Sequence, residues 1–317
     1  MTADPSTHQL RLLLVLAEEL HFGRAAQRLF ISQPAFSRQI RALEERLGVT
    51  LVKRSTRRVE LTPAGEALLP QVRAVVDAVD GLRGAVKAQA RPGPDRVVLG
   101  SYVSGLPTLR ILLDRLRTHH PCPELELRAV GPVDQVSALL NGDADAVICY
   151  GPMPEGIRTL PLETEPRFVC LPDTHPLADR EAVTLAELAG LPVIGFPPHV
   201  SKVWRNFWAA DPRPDGTPVR YTEHAGATLE ACISLVSLGH GIRFISESGR
   251  DLMPRPGVRF IAVTDLPPCT ALLAWPASRP ASPALTSFLA AIRSHLRTTG
   301  DADNGMNPLP IRINESL

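Results

Sequence analysis

Cysteine is scarce in this sequence, and no two cysteines form a C-x-x-C pair. The chain has five cysteines in 317 residues, an odd number at wide spacing. That pattern argues against a disulfide framework and a zinc ribbon and favours buried reduced thiols. His119, His120 and Cys122 admit a metal-binding interpretation, but adjacent histidines near a helix end usually face water. We therefore predict no metal site and no cofactor.

Long apolar runs are also missing. None approaches the roughly 18 residues that a membrane-spanning helix needs. The N-terminus does not resemble a signal peptide, because the polar residues Asp4 and His8 precede the first apolar stretch. With 44% hydrophobic and 21% charged residues, the composition is typical of a globular protein. We expect a cytoplasmic chain of two or three compact units with no membrane partner.

A net charge is nearly absent, because the whole chain carries only +1. The charge is unevenly distributed, however. Residues 23–58 contain nine basic and two acidic side chains, so this segment alone has a net charge of +7. Clustered Lys and Arg favour a polyanionic partner for this segment.

Three short helices are predicted in the first fifty residues. Thr7 is the predicted cap of the first helix, whose leucines recur at helical spacing as far as Leu20. A second helix is predicted from Arg24 to Leu29. Ser32 is predicted to cap the third helix, which the glycine at position 48 can end.

The third helix has two unlike faces. An apolar stripe is predicted to pack inward and consists of Phe36, Ile40, Leu43 and Leu47. The other side carries Gln33, Pro34, Ser37, Arg38 and Arg41. Gln pairs with adenine, Arg pairs with guanine or phosphate, and the proline ring can touch a thymine methyl, as a recognition helix requires. An ordinary solvated face of a helical bundle is the alternative.

Two short strands and a basic tip follow the third helix. Residues 51–54 and 59–62 are the predicted strands, and the tip between them includes Arg57 and Arg58. Such a wing can place arginine in the minor groove or on phosphates beside a recognition helix.

A long helix is predicted from Pro63, with Thr62 as its cap. Its apolar residues follow a heptad pattern and are Leu68, Val72, Val75, Val79, Leu82 and Val86. The pattern predicts pairing with the same helix of a second copy. Packing of this stripe on its own domain is the alternative.

These segments together resemble the DNA-binding signature of LysR-type regulators. The matching runs are Ala25-Ala26, Ser32 through Ile40, Leu43-Glu44, Leu47-Gly48, Leu51 through Arg54 and Leu61 through Gly65. The resemblance implies that Gln33, Pro34, Ser37 and Arg38 contact bases or phosphates and that Arg54 and Arg57 lie in the wing. Gly23 departs from the family, which usually has a Ser or Thr cap there, but glycine caps a helix almost as well, so Gly23 is still predicted to cap the second helix.

The pattern changes after a proline- and glycine-containing hinge at residues 90–95. Apolar strand-like runs alternate with helical stretches, which predicts an α/β sheet. Leu235 through Ile242 and the turn 141–145 resemble the periplasmic-binding-protein-like effector domain of the same family. That fold implies two lobes, with crossings near 160–165 and 264–268.

The predicted fold is therefore an α+β winged helix-turn-helix with a long linker helix, followed by an α/β two-lobed periplasmic-binding-protein-like effector domain. The boundaries are 1–62 for the DNA-binding domain, 63–90 for the linker helix, 95–298 for the effector domain and 299–317 for a flexible tail. Within the effector domain, lobe I comprises 95–162 and 267–298, and lobe II comprises 163–266.

A ligand in such a sheet is expected at the carboxyl ends of the strands, where helix N-termini offer N–H groups and hydroxyls. The candidate residues are Ser101, Tyr102, Ser104, Pro132, Phe196, His199, Ser201, Gly226 and Thr228. Capping or loop duty is the alternative for each. Pro132 stands where family members often carry Thr or Ser.

These features predict a DNA-binding transcriptional regulator controlled by a small molecule, with an organic acid as one candidate effector. No nucleophile elbow, phosphate loop or metal motif is present, so no catalytic residue and no enzyme activity are predicted. Expected partners are promoter DNA, the effector and further copies of the chain in a dimer or tetramer, with RNA polymerase as a further candidate. The rival interpretations are a solute-binding protein or enzyme with a helical cap, and a nonspecific nucleoid protein.

Overall fold

The computed structural model describes residues 4–54, 59–89, 95–101, 113, 123–198 and 200–300. Its first part is a winged helix-turn-helix. The elements are α1 (Thr7–Glu19), α2 (Phe22–Arg28), α3 (Gln33–Leu47), β1 (Val52–Arg54), β2 (Val59–Leu61) and α4 (Pro63–Gln89). The three short helices and the start of α4 share one apolar core, and β1 pairs with β2 in antiparallel fashion.

The ends of the first two helices differ from the sequence prediction. Ser6, not Thr7, caps α1, because the Ser6 hydroxyl accepts from the amide of Gln9 while the Gln9 side chain accepts from the amide of Ser6, each at 3.2 Å. His21 caps α2 through its Nδ1 atom. Gly23 therefore lies inside α2, and its predicted capping role is wrong.

The third helix begins and ends as predicted. Ser32 Oγ accepts from the amide of Ala35, Pro34 lies in the first turn, and Gly48 adopts the left-handed conformation after the last turn. One predicted inward residue, Leu47, is 36% exposed instead of buried. It lies in the last turn, beyond the reach of the core formed with α1 and α2.

A five-stranded sheet forms the first lobe. Its order is β4-β3-β5-β13-β6. The strands are β3 (Arg96–Ser101), β4 (Glu124–Ala129), β5 (Ala146–Tyr150), β6 (Ile157–Glu165) and β13 (Cys269–Pro276). The first three are parallel to one another, while β13 runs antiparallel to β5 and β6. Helices α5 (Gln135–Leu140) and α9 (Pro283–Gly300) complete this lobe.

A second lobe is inserted between β6 and β13. Its strands are β7 (Arg167–Pro172), β8 (Ala182–Val183), β9 (Val193–Gly195), β10 (Tyr221–Ala225), β11 (Arg243–Ser246) and β12 (Val258–Val263). Its helices are α6 (Lys202–Ala209), α7 (Leu229–Ser237) and α8 (Glu247–Leu252). Strands β11-β7-β12-β8 form one sheet, and β9 pairs with β10 in parallel. The chain thus leaves the first sheet after Glu165 and re-enters it at Cys269.

Three predicted segments have different bounds in the structure or lie mostly outside the described residues. The helix expected from Val133 begins at Gln135, since Pro132 and the turn after it precede the first helical bond. Thr299, expected to begin the tail, instead belongs to α9, which continues to Gly300, and residues 301–317 lie outside the described residues. The helix expected at 106–117 lies outside the described residues except for Leu113, which is helical. No helix of the described part is long and apolar enough to cross a membrane.

Candidate nucleic-acid interface and ligand cleft

Helix α3 presents a polar face above a sealed core. Phe36, Ile40 and Leu43 have no exposed surface, while Ser32, Gln33, Pro34, Arg38 and Arg41 are exposed and Ser37 is half-buried. Arg38 and Arg41 have no carboxylate partner among the described residues. These cations therefore remain available to an external anion.

Three other cations near α3 have structural partners. Arg28 pairs with Glu18 and Glu19. Arg24 pairs with Glu19, and the Arg46 guanidinium donates to Gln9 Oε1 at 3.0 Å. The net charge of this segment thus overstates its free cations, because three of them bind α1 or the chain around it.

The wing is held firmly to α3. Glu44 Oε1 accepts from the amides of Leu51 and Val52 at 2.9 and 3.0 Å. A Cβ atom on Gly65 would lie only 2.2 Å from the Leu51 carbonyl oxygen, so only glycine permits this approach of α4 to the hairpin. Arg54 ends β1, opposite Val59. Arg57 and Arg58 lie outside the described residues.

The apolar stripe of α4 changes its surroundings along the helix. Leu68 and Val72 pack on the core of the winged domain. Further along, Val75, Leu82 and Val86 are exposed, and Leu82 keeps 65% of its surface. The chain's own core covers only the first part of the stripe.

The interlobe region is apolar and closely packed. One buried cluster combines Leu99 and Tyr150 of the first lobe with Phe196, Trp204 and Trp208 of the second. Trp204 Nε1 donates to the Tyr150 carbonyl oxygen at 2.7 Å, which joins the two lobes directly. The ring centroids of Trp204 and Phe196 are 4.6 Å apart. Aromatic side chains of α6 therefore fill much of the cleft.

Trp204 lines two small pockets. Three of the residues predicted to bind the effector also line them. Pro132 lines both pockets, Phe196 lines the first and Ser201 the second. Neither pocket is lined by Ser101, which ends β3 as a buried residue, or by Gly226 and Thr228 near α7. Thr228 caps α7 by accepting from the amide of Ala231 at 3.1 Å. Tyr102, Ser104 and His199 lie outside the described residues.

Four of the pocket residues that the sequence did not predict have side chains suited to ligand contact. Trp204, Trp208 and Arg243 line the first pocket, and Gln135 lines the second. Trp204 and Trp208 are four residues apart, and this i, i+4 aromatic pair is a signal that sequence inspection could have used. Arg243 and Gln135 carried no such signal, because their positions depend on long-range packing.

A buried carboxylate lies at the crossing between the lobes. Glu165 accepts from the Tyr150 hydroxyl, from the Ser248 amide at 2.6 Å and from the Ser248 hydroxyl at 3.0 Å. Tyr150 belongs to the first lobe and Ser248 to the second. Hydrogen bonds to a charged group contribute about 1.5–3 kcal/mol each. This network therefore fixes the lobes at their junction.

The described cysteines do not form a reactive or metal-binding site. Cys149, Cys170, Cys232 and Cys269 are buried and free. Burial raises the pKa of the Cys149 thiol to about 12, and burial raises the pKa of Cys269 to a similar value. Within the described ranges, no three His, Cys, Asp or Glu side chains group as metal ligands. His119, His120 and Cys122 fall outside those ranges.

Family models match most of the chain. Residues 7–66 match the bacterial regulatory helix-turn-helix protein, lysR family, and residues 96–297 match the LysR substrate binding domain. The uncharacterized HTH-type transcriptional regulator YnfL of Escherichia coli (strain K12) is 33% identical over 296 residues, covering 91% of this chain and 98% of the relative. The HTH-type transcriptional regulator AlsR of Bacillus subtilis (strain 168) is 32% identical over 255 residues, covering 77% of this chain and 81% of the relative.

Solved structures also align along the chain. The oxidized form of Corynebacterium glutamicum OxyR aligns with 96% of each chain at 25% identity and a TM-score of 0.46. Full-length CbnR complexed with its target DNA covers 91% of this chain and 99% of its own at 24% identity and a TM-score of 0.47.

Proposed function

Because the chain belongs to the LysR family of transcriptional regulators, we propose that it binds one promoter region through α3 and the wing and responds to an effector between its lobes. The observation that carries this proposal is the free polar face of α3, with Gln33, Arg38 and Arg41 exposed above a fully buried stripe. Gln33 suits adenine, and the arginines suit guanine or phosphate. Ser32, Pro34 and Ser37 contribute near the helix start, and Arg54, Arg57 and Arg58 contribute from the wing.

We propose the division 1–62 for DNA binding, 63–90 for the linker helix and 95–298 for effector binding. LysR regulators bind promoter DNA and small-molecule effectors and form oligomers. The exposed part of the α4 stripe supports a homodimer, in which two α3 helices meet successive major grooves about 34 Å apart. A tetramer of such dimers and a contact with RNA polymerase are further proposals. Because promoter DNA lies in the cytoplasm, we propose that location for the chain.

A contact within the chain supports coupling between the two functions. Arg205, next to Trp204 on α6, donates to Glu19 Oε1 of α1 at 2.7 Å. Helix α6 thus contacts both the cleft and the winged domain. A ligand that favours one arrangement of the two lobes by about 1.4–4 kcal/mol shifts the DNA-bound population about 10- to 1,000-fold. We propose that α6 transmits this preference.

Footprinting on the intergenic DNA upstream of the gene tests the proposal. We expect two protected half-sites about one helical turn apart, and no protection by an Arg38→Ala, Arg41→Ala double variant. Equal protection along every fragment would support a nonspecific nucleoid protein. Failure to bind any duplex, together with tight binding of a solute, would support the rival class of solute-binding proteins.

A further inference from the structure

The two interlobe pockets share one wall. We name the pocket lined by Phe196 and Trp208 the first chamber and the pocket lined by Gln135 and Ser201 the second chamber. Both are also lined by Pro132 and Trp204. The first has a volume of about 20 Å³ and the second about 30 Å³. One water needs about 10–15 Å³ of such cavity volume, so each chamber holds only about two waters. Trp204 and Pro132 line both chambers and therefore form the wall that the chambers share.

Each chamber is lined by a residue with a buried N–H donor that lacks an acceptor among the described residues. Trp208 Nε1 in the first chamber and Gln135 Nε2 in the second have no hydrogen-bond partner among the described residues. Trp208 is 5% exposed and Gln135 is 3% exposed, so bulk water does not compensate either donor. Ser201 adds a hydroxyl that makes no capping bond to α6. A ligand that satisfies this site must supply acceptor oxygens at two places.

The charge of the lining favours an anion. Arg243 lines the first chamber, stacks over the Phe196 ring at 3.7 Å and donates to the Ile194 carbonyl oxygen at 2.8 Å. No Asp or Glu is among the described residues that line either chamber. The other lining groups are mostly aromatic or aliphatic, so the body of the ligand meets apolar surface.

We propose that the effector is a carboxylic acid with a planar apolar body, which moves the Trp204 indole aside and joins the chambers into one site. Its oxygens accept from Gln135 and Trp208, and its charge faces Arg243. The inference rests on the proposed function, because it assigns the effector to the interlobe cleft. Movement of Trp204 breaks its bond to the Tyr150 carbonyl, and Tyr150 also donates to Glu165 at the lobe junction. Effector binding is thereby linked to the angle between the lobes.

Calorimetry with the full chain tests the class of ligand. The probes are benzoate, phenylacetate and indole-3-acetate, each compared with its neutral counterpart benzyl alcohol, 2-phenylethanol or indole-3-ethanol. We expect at least one acid to bind at least tenfold more tightly than its alcohol, with a red shift of tryptophan emission as Trp204 becomes exposed. Equal binding of acids and alcohols would overturn the proposal.

Variants test the named residues. Gln135→Leu keeps the approximate size of the side chain but removes the donor, and we expect at least tenfold weaker binding of the acid. Ser137→Ala is the matched control, because Ser137 is an exposed residue of the same helix that lines neither chamber, and it should change the affinity less than threefold. Trp204→Ala opens the joined cavity in advance and should bind the acid more tightly than the parent chain, and Trp204→Phe serves if the alanine variant does not fold.

Two outcomes separate this inference from the proposed function. Suppose that neither the parent chain nor the folded Trp204 variant binds any probe acid, while the same preparation binds its upstream DNA. The proposed effector site is then wrong, and the proposed function as a DNA-binding regulator stands. If the acids bind but DNA does not, the site stands and the proposed function fails.

Discussion

Truncation of Leu82 on α4 should weaken the assembly without unfolding the subunit. In one chain this side chain keeps 65% of its surface exposed. Full burial of a leucine contributes about 1.5–3 kcal/mol, so burial of the exposed part of Leu82 in an interface contributes about 1–2 kcal/mol. A twofold interface contains the residue twice, which gives about 2–4 kcal/mol for Leu82→Ala. The dimer dissociation constant should therefore rise about 30- to 700-fold.

Sedimentation over a dilution series measures that constant. Val72→Ala is the matched control, because Val72 lies on the same stripe but is buried in the winged-domain core. It should lower the unfolding temperature and leave the dissociation constant unchanged. The charged substitution Val79→Asp should yield monomers. An unchanged dissociation constant for Leu82→Ala would show that the chain assembles through another surface.

Three further predictions concern DNA reading, packing and the lobe junction. Gln33→Ala should relax preference at one base pair at a cost of about 1–3 kcal/mol, whereas Arg41→Ala should weaken all duplexes evenly in anisotropy titrations, and identical effects would contradict this division of roles. Gly65→Ala should lower the unfolding free energy of the winged domain by about 1–3 kcal/mol in urea titrations. Gly190→Ala, whose Cβ would meet open space, should be nearly neutral, and equal stabilities of the two variants would refute the packing argument. Glu165→Gln should lower the unfolding free energy of the effector domain by about 1.5–3 kcal/mol, and no loss would mean that its network contributes little.

Local signals predicted the winged domain well. The Ser32 cap, the Pro34 position and the Gly48 end of α3 depend on contacts within one helical turn, which neighbouring residues reveal. The error at Thr7 has the same local origin. Ser6 and Thr7 both carry hydroxyls, and the reciprocal bond with Gln9 decides between them.

The cleft was less predictable because its contacts join distant segments. Trp204 reaches Tyr150 across 54 residues, and Ser248 reaches Glu165 across 83. Periodicity and spacing describe single elements, so they do not show which side chains meet between lobes. Sequence reasoning looked for ligand contacts at strand ends and loops, and it did not anticipate that aromatic residues of α6 fill the cleft.

Specific promoter binding is measured as the affinity of the purified chain for its own upstream duplex and for a scrambled duplex across a salt series. We predict that the upstream duplex binds at least about 10³-fold more tightly. We also predict a steep fall of affinity with salt for both duplexes, since each phosphate contact contributes about −0.9 to the logarithmic slope. Equal affinities for the two duplexes, or no binding to either at low salt, would contradict specific promoter binding.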